Sequence, residues 1–219
     1  MDFTKFMSLI EDESLFFSNL TDHSDKMEGF LTKASVDRFR TFPEDITGYE
    51  RYRKKQIREN NLKALKNSRE YLYISCWHMS EYESAAMWEL YLKDYQGIAI
   101  QTTICNFMES LKNTKENVYI GKINYLDREK EEFPWNNVFF LALNKGNSYE
   151  HEKEIRGVIL GNVYKAGISV YVDLSKLIES IYLAPHTPQW IHELIKKIVR
   201  KYKLEVDVKP SVLGQEPLY

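Results

Sequence analysis

The sequence predicts an α+β fold, one domain with a mixed, mostly antiparallel sheet and flanking helices. Three observations carry that reading. Helical and strand periodicities intermix along the 219 residues, and several strand-like runs follow one another in hairpin-like succession. Residues 71–103 read as strand, capped helix and strand in a row. No internal repeat, low-complexity run or linker interrupts the chain, whose length suits one sizeable core.

In order, Phe3, Phe6, Met7 and Ile10 recur at helical spacing, and Ser14-Leu-Phe-Phe-Ser18 reads as a strand. The acidic, turn-rich stretch from Thr21 to Gly29 reads as a loop. Residues 49–70 form a charged helical pattern with weak apolar periodicity. Basic residues from Arg51 to Arg69 outnumber the acidic ones there. Such a helix can grip nucleic-acid phosphates, but a solvated face is the favoured reading.

Tyr71–Trp77 is an apolar, aromatic strand. Ser80 and Glu83 have capping-box spacing, and Ala85, Trp88, Leu92 and Tyr95 share the face of the helix that follows. Lys93 falls in its last turn, and Gly97 ends it before the strand Ile98–Thr103. Further on, 104–113 predicts a helix, 118–126 a strand, and Phe133-Pro134-Trp135 closes a charged loop. Residues 137–145 predict a buried helix, 152–160 and 167–173 strands, 174–179 a short helix and 180–184 a strand. Thr187-Pro188 opens a helix in which Trp190, Ile191, Leu194, Ile195, Ile198 and Val199 form a stripe. Residues 204–212 close the chain as a strand.

Charged residues make up 28% of the chain and the net charge is −2, the balance of an ordinary globule. No window has the length and apolarity of a membrane span, and the first residues lack a secretory pattern. Two cysteines, Cys76 and Cys105, are too few for a disulfide framework, so the expected setting is cytoplasmic and reduced.

The chemistry-bearing stretch is 145–156. Read as a strand, it puts Glu150, Glu152, Glu154 and Arg156 on one face, with neither face apolar before Val158. Its beginning should therefore project into a cleft or solvent. Carboxylates roughly 6–7 Å apart at the backbone raise each other's pKa unless a cation answers them. An edge strand guarded by charge and a functional site explain this pattern equally well. Cys76 and His78 allow a nucleophile–base reading without a third orienting group, and a small core cysteine is the plainer account. The five histidines show no zinc spacing, and neither a phosphate loop nor a Gly-x-Ser-x-Gly elbow is present.

Ser75-Cys-Trp-His-Met79, the run from Glu83 to Tyr91, Gly97-Ile-Ala-Ile-Gln-Thr102 and the pattern Lys145…Tyr149…Glu152-x-Glu154-x-Arg156 together resemble the bacterial family catalogued as domain of unknown function 2971. Asp25-Lys-Met-Glu28-Gly29 is similar to that family's Asn-Asp-Pro-Phe-Glu motif, without its Asn and Pro, and the likeness spans about residues 3–213. Members usually carry one more strand, with a basic and aromatic pair, ahead of the segment that Phe3 begins.

The order of elements in that family is similar to that of ADP-ribosyltransferases. By that resemblance Glu152 or Glu154 hydrogen-bonds the nicotinamide ribose of NAD and stabilises an oxocarbenium-like transition state. Ser18 shapes the pocket, Tyr149 or Tyr91 stacks on nicotinamide, and Arg156 or Lys145 holds a phosphate. Whether the chain is an enzyme stays open. A metal-dependent nuclease or phosphoesterase would use Asp25, Glu28, Glu152 and Glu154 to hold Mg²⁺ with Lys145 facing a phosphate. A non-catalytic defence or regulatory module would instead pair Arg156 internally with Glu152 or Glu154 and leave no cleft.

Overall fold

A computed structural model describes residues 1–23, 25–41, 46–92, 97–132 and 137–215. It is α+β with mostly antiparallel pairing. The α-helices are α1 Phe3–Glu11, α2 Lys33–Arg40, α3 Gly48–Ser68, α4 Ala85–Tyr91, α5 Ile104–Ser110, α6 Leu174–Leu177 and α7 Gln189–Lys201. The strands are β1 Ser14–Asn19, β2 Leu72–His78, β3 Ile98–Gln101, β4 Tyr119–Lys122 and β5 Asn124–Leu126, then β6 Asn144–Gly146, β7 Glu154–Leu160, β8 Gly167–Tyr171, β9 Ser180–Leu183 and β10 Asp207–Pro210. Two compact units divide the chain. One comprises Met1–Phe16, Ser80–Glu116 and Ser169–Tyr219; the other, Phe17–Met79 and Asn117–Ile168.

In the first unit β9 lies between β10, which is parallel to it, and β3, which is antiparallel. α7 forms because its apolar residues recur every three or four positions, and it buries Ile191, Ile195 and Val199. Trp190 and Leu194, predicted on the same stripe, are exposed. The helix starts at Gln189, so Pro188 occupies the N-cap position, and the Thr187 hydroxyl donates to the Ala184 carbonyl at 2.7 Å instead of capping. α4 also starts later than its capping-box spacing implies. Ser84 is the N-cap, and its Oγ accepts from the Met87 N–H. The Glu83 carboxylate is drawn away by Trp88 Nε1 at 3.0 Å, Ser211 Oγ at 2.5 Å and the Val212 N–H at 3.0 Å. Lys93, Tyr95 and the Phe133-Pro134-Trp135 turn lie outside the described residues.

In the second unit β7 runs antiparallel between β2 and β4, with Cys76 and Gly121 both opposite Arg156 and His78 opposite Glu154. It is an interior strand, which corrects the charged-edge expectation. The run 118–126 breaks at Ile123 into β4 and β5, and β5 pairs in parallel with β6. A 3-10 turn at Val138–Leu141 followed by β6 replaces the helix expected over 137–145. Paired strand residues share a face, and on that face Ile74 and Val158 join Leu20, Leu72, Leu126, Leu141 and Ala142 in one apolar cluster. The same face of β7, toward its beginning, carries Glu154 and Arg156.

Candidate buried charge site

β7 begins at Glu154, not Glu152. Asn147–Glu152 forms a 3-10 helix, and Lys153 after it takes the left-handed conformation, with φ 42°. Glu150, Glu152, Glu154 and Arg156 therefore do not form one row. The expected projection into a cleft is also wrong, because Lys145, Glu152, Glu154 and Arg156 are all buried. Their charges are tolerated because they answer one another, as isolated ionised groups are very costly to bury.

Arg156 is the centre, with no solvent exposure. Its Nε donates to Glu154 Oε2 at 2.6 Å, and its Nη1 donates to the Ala142 carbonyl at 2.9 Å. Its Nη2 is 2.5 Å from Glu154 Oε2 and also 2.5 Å from Glu28 Oε1, both ion pairs off hydrogen-bond alignment. Lys145 Nζ donates to Glu154 Oε1 at 3.1 Å and to Glu152 Oε2. The Tyr149 ring covers that ammonium, 4.6 Å from centroid to nitrogen. The Glu154 N–H donates to Tyr125 Oη at 2.8 Å, and the Glu152 carbonyl accepts from His78 Nδ1 at 2.6 Å. A carbonyl only accepts, so His78 carries its proton on Nδ1.

The two glutamates are driven apart in acidity. Burial, with Glu154 adding to it, pushes the Glu152 carboxyl up to about 7 despite its Lys145 partner. Burial also acts upward on Glu154, but its link to Glu152 and the charges of Arg156 and Lys145 win and hold it down at about 2. Lys145 and Arg156 stay cationic: burial opposes their charge, and the surrounding carboxylates outweigh it. At neutral pH the cluster holds one firmly ionised carboxylate next to one that exchanges its proton.

The other expected site residues are distributed unevenly. Glu28 belongs to the network through Arg156, whereas Asp25 Oδ1 accepts from the Met27 N–H at 2.9 Å and shapes the turn. The four-carboxylate metal set expected from Asp25, Glu28, Glu152 and Glu154 is not assembled. Among the described residues no group of three or more His, Cys, Asp and Glu is placed to hold a metal ion. Ser18 pairs with His23, Oγ to Nε2, at 2.9 Å, and burial pushes the His23 pKa down, favouring the neutral ring. Tyr91 ends α4 in the first unit and is exposed. Lys145 and Arg156, both expected as phosphate holders, are committed to carboxylates instead.

Cys76 is open to solvent, which corrects the core-cysteine reading. Protein nevertheless crowds its sulfur and pushes the thiol up to about 12, so it is no thiolate at neutral pH. Cys105 is exposed and equally free of a disulfide. Among the described residues no helix is long and apolar enough to cross a membrane.

His23 and Tyr125 were not legible as site residues. His23 follows Ser18 by five positions, but nothing in the intervening residues marks the contact. Tyr125 had only its place in an alternating strand. Compared with family models, curated proteins and solved structures, the chain has no significant match.

Proposed function

We propose that the second unit carries a transferase site acting at an N-ribosyl bond, of the ADP-ribosyltransferase kind, with NAD as donor. The observation that supports this reading is the opposite displacement of the two buried carboxyl acidities. Such a reaction needs a fixed negative charge beside the developing oxocarbenium ion and a base for the incoming nucleophile. Glu154, kept ionised by Arg156 and Lys145, suits the first role. Glu152, which titrates near neutrality, suits the second. The C1′–nitrogen bond breaks and nicotinamide leaves with the electron pair; the acceptor bonds to C1′, and its proton passes to Glu152. Lys145 and Arg156 act as positioning residues, and the Ser18–His23 pair would line the pocket.

A second reading has its own observation. The ion network is closed on itself, and the shallow depression bordered by Lys122, Asn124, Tyr125 and Glu150 is lined by neither Glu152 nor Glu154. That arrangement fits a non-catalytic regulatory or defence module in which the charges specify the fold. The nuclease reading, with Mg²⁺, is the least favoured, because Glu28, Glu152 and Glu154 already have cationic partners.

A thermal-shift titration with NAD, run in parallel with Mg²⁺ and Mn²⁺, separates the three. Ligand at a hundred times its dissociation constant adds about 2.7 kcal/mol, which raises the midpoint by several degrees. The transferase reading requires a rise with NAD and release of nicotinamide that Glu152→Gln and Glu154→Gln abolish without unfolding. A rise with metal alone would favour phosphodiester chemistry. No rise in any arm would favour the module.

A further inference from the structure

With Lys145 and Arg156 consumed internally, a different cation is left to meet a ligand. Arg69, just beyond α3, lays its guanidinium 3.7 Å from the centroid of the Phe30 ring. Its Nε is buried and has no acceptor, and among the described residues its side chain forms neither a hydrogen bond nor an ion pair. The backbone makes room for it. Gly29 has φ +73°, and a Cβ there would lie 2.8 Å from Arg69 Nε. A residue with a side chain would be strained at that φ and would collide with the arginine as well.

Arg128 serves the same turn differently. Its Nη2 donates to the Met27 carbonyl at 2.6 Å and to the Phe30 carbonyl at 2.9 Å, so it is spent on holding the loop. Glu28 lies between the two systems, but its carboxylate is already answered by Arg156. Burial pushes the Arg69 pKa down, and the Glu28 and Glu70 carboxylates offset only part of that. Stacking fixes the guanidinium plane, and with Nε closed off by protein it leaves the two terminal nitrogens for a planar or tetrahedral anion, which arginine grips through paired N–H groups.

We propose that Arg69, stacked on Phe30 and admitted by Gly29, is the anchor of a phosphate-binding site in the second unit, and that the unit's ligand carries a phosphate or diphosphate. The site extends the transferase reading, whose donor has a diphosphate, without requiring Glu152 or Glu154 to be catalytic.

Calorimetric titration of the full chain with inorganic pyrophosphate at low ionic strength tests it, with malonate as the dicarboxylate control. Saturable pyrophosphate binding is expected, weakened tenfold or more in Arg69→Gln. Lys66→Gln, which removes an exposed cation on α3, should leave it unchanged. Arg69→Lys should bind at an intermediate level, since it keeps the charge and loses the planar stack. Equal weakening by Arg69→Gln and Lys66→Gln would reduce the effect to general attraction and overturn the site. So would malonate binding as tightly as pyrophosphate, or an absence of saturable binding in the folded wild-type chain. Pyrophosphate binding that survives Glu152→Gln while NAD causes no response would uphold the phosphate site and remove the transferase. Loss in Arg69→Gln of pyrophosphate binding but not of NAD turnover would uphold the transferase and show that its donor bypasses Arg69.

Discussion

Both units bury neutral polar groups, and the second buries charged ones as well. In the first, the polar residues buried among those described are the neutral Ser110, Ser180 and Ser211. The second buries Glu28, Lys145, Glu152, Glu154 and Arg156. A serine hydroxyl is satisfied by one or two partners, as when Ser110 Oγ donates to the Phe107 carbonyl at 2.8 Å and Ser211 Oγ donates to Glu83. The five charges are answered chiefly by one another, with the Ala142 carbonyl and the Tyr149 ring beside them, across a sequence distance from 28 to 156. Burying ion pairs is weak evidence of stability, because well-packed apolar residues serve as well or better. Their concentration in one unit therefore marks the place where chemistry or specificity, rather than stability, explains the residues.

The largest expected effect breaks this contrast at Arg156. Arg156→Met strands Glu28 and Glu154 and should cost about 3–5 kcal/mol in urea unfolding. Ile195→Ala in the first unit, where Ile195 on α7 is fully buried, should cost about 2–5 kcal/mol by leaving a cavity. The remedies differ. Adding Glu28→Gln and Glu154→Gln should recover much of the Arg156→Met loss, whereas no change of charge should rescue Ile195→Ala. A loss below about 1 kcal/mol for Arg156→Met would mean that its charge is not buried as described.

Acidity gives the next effect. Glu152 is raised from 4.5 in the unfolded chain to about 7 in the folded one. Its contribution to stability is fully present below the unfolded value and is lost as pH rises through about 7. Glu154, lowered to about 2, contributes above 4.5 and loses that contribution as pH falls toward 2. His23, also lowered, contributes above its unfolded value of 6.5 and so opposes Glu152 across neutrality. Melting temperature against pH should therefore be compared between wild type and Glu152→Gln. The wild type should fall relative to the variant between about pH 5 and 8. Parallel curves would show that Glu152 titrates normally.

The smallest effect distinguishes two serines. Ser84→Ala removes the cap of α4 and should cost about 0.5–2 kcal/mol, while Ser80→Ala should cost close to nothing. Equal losses would restore the capping box at Ser80.

These same residues show what a single sequence makes legible. The α7 stripe at Ile191, Ile195 and Val199 was readable because periodicity and burial have one cause, the apolar face of a helix. The class of the fold followed from such local patterns. The sequence pattern misplaces the start of β7, since it ties charge to exposure and two-residue spacing to one strand face. Neither holds when Lys153 reverses the backbone and Lys145 and Glu28 arrive from elsewhere in the chain. The α4 cap moved because Glu83 has partners at Ser211 and Val212, more than a hundred residues away. Named residues of the site were visible locally; their pairing was not.

Lys153 has one more consequence. Glu154 lies opposite His78 on one side and accepts at its carbonyl from the Ile123 N–H at 3.0 Å on the other, so its position is inherited from the sheet. Glu152 hangs from a short turn, tied back by the His78 contact to its carbonyl and by the Met79 N–H to the Lys153 carbonyl at 2.9 Å. One carboxylate is a fixed jaw and the other an adjustable one, with the torsion at Lys153 as the screw. Changes in the 147–152 turn can retune the gap between them while the strand behind stays as it is.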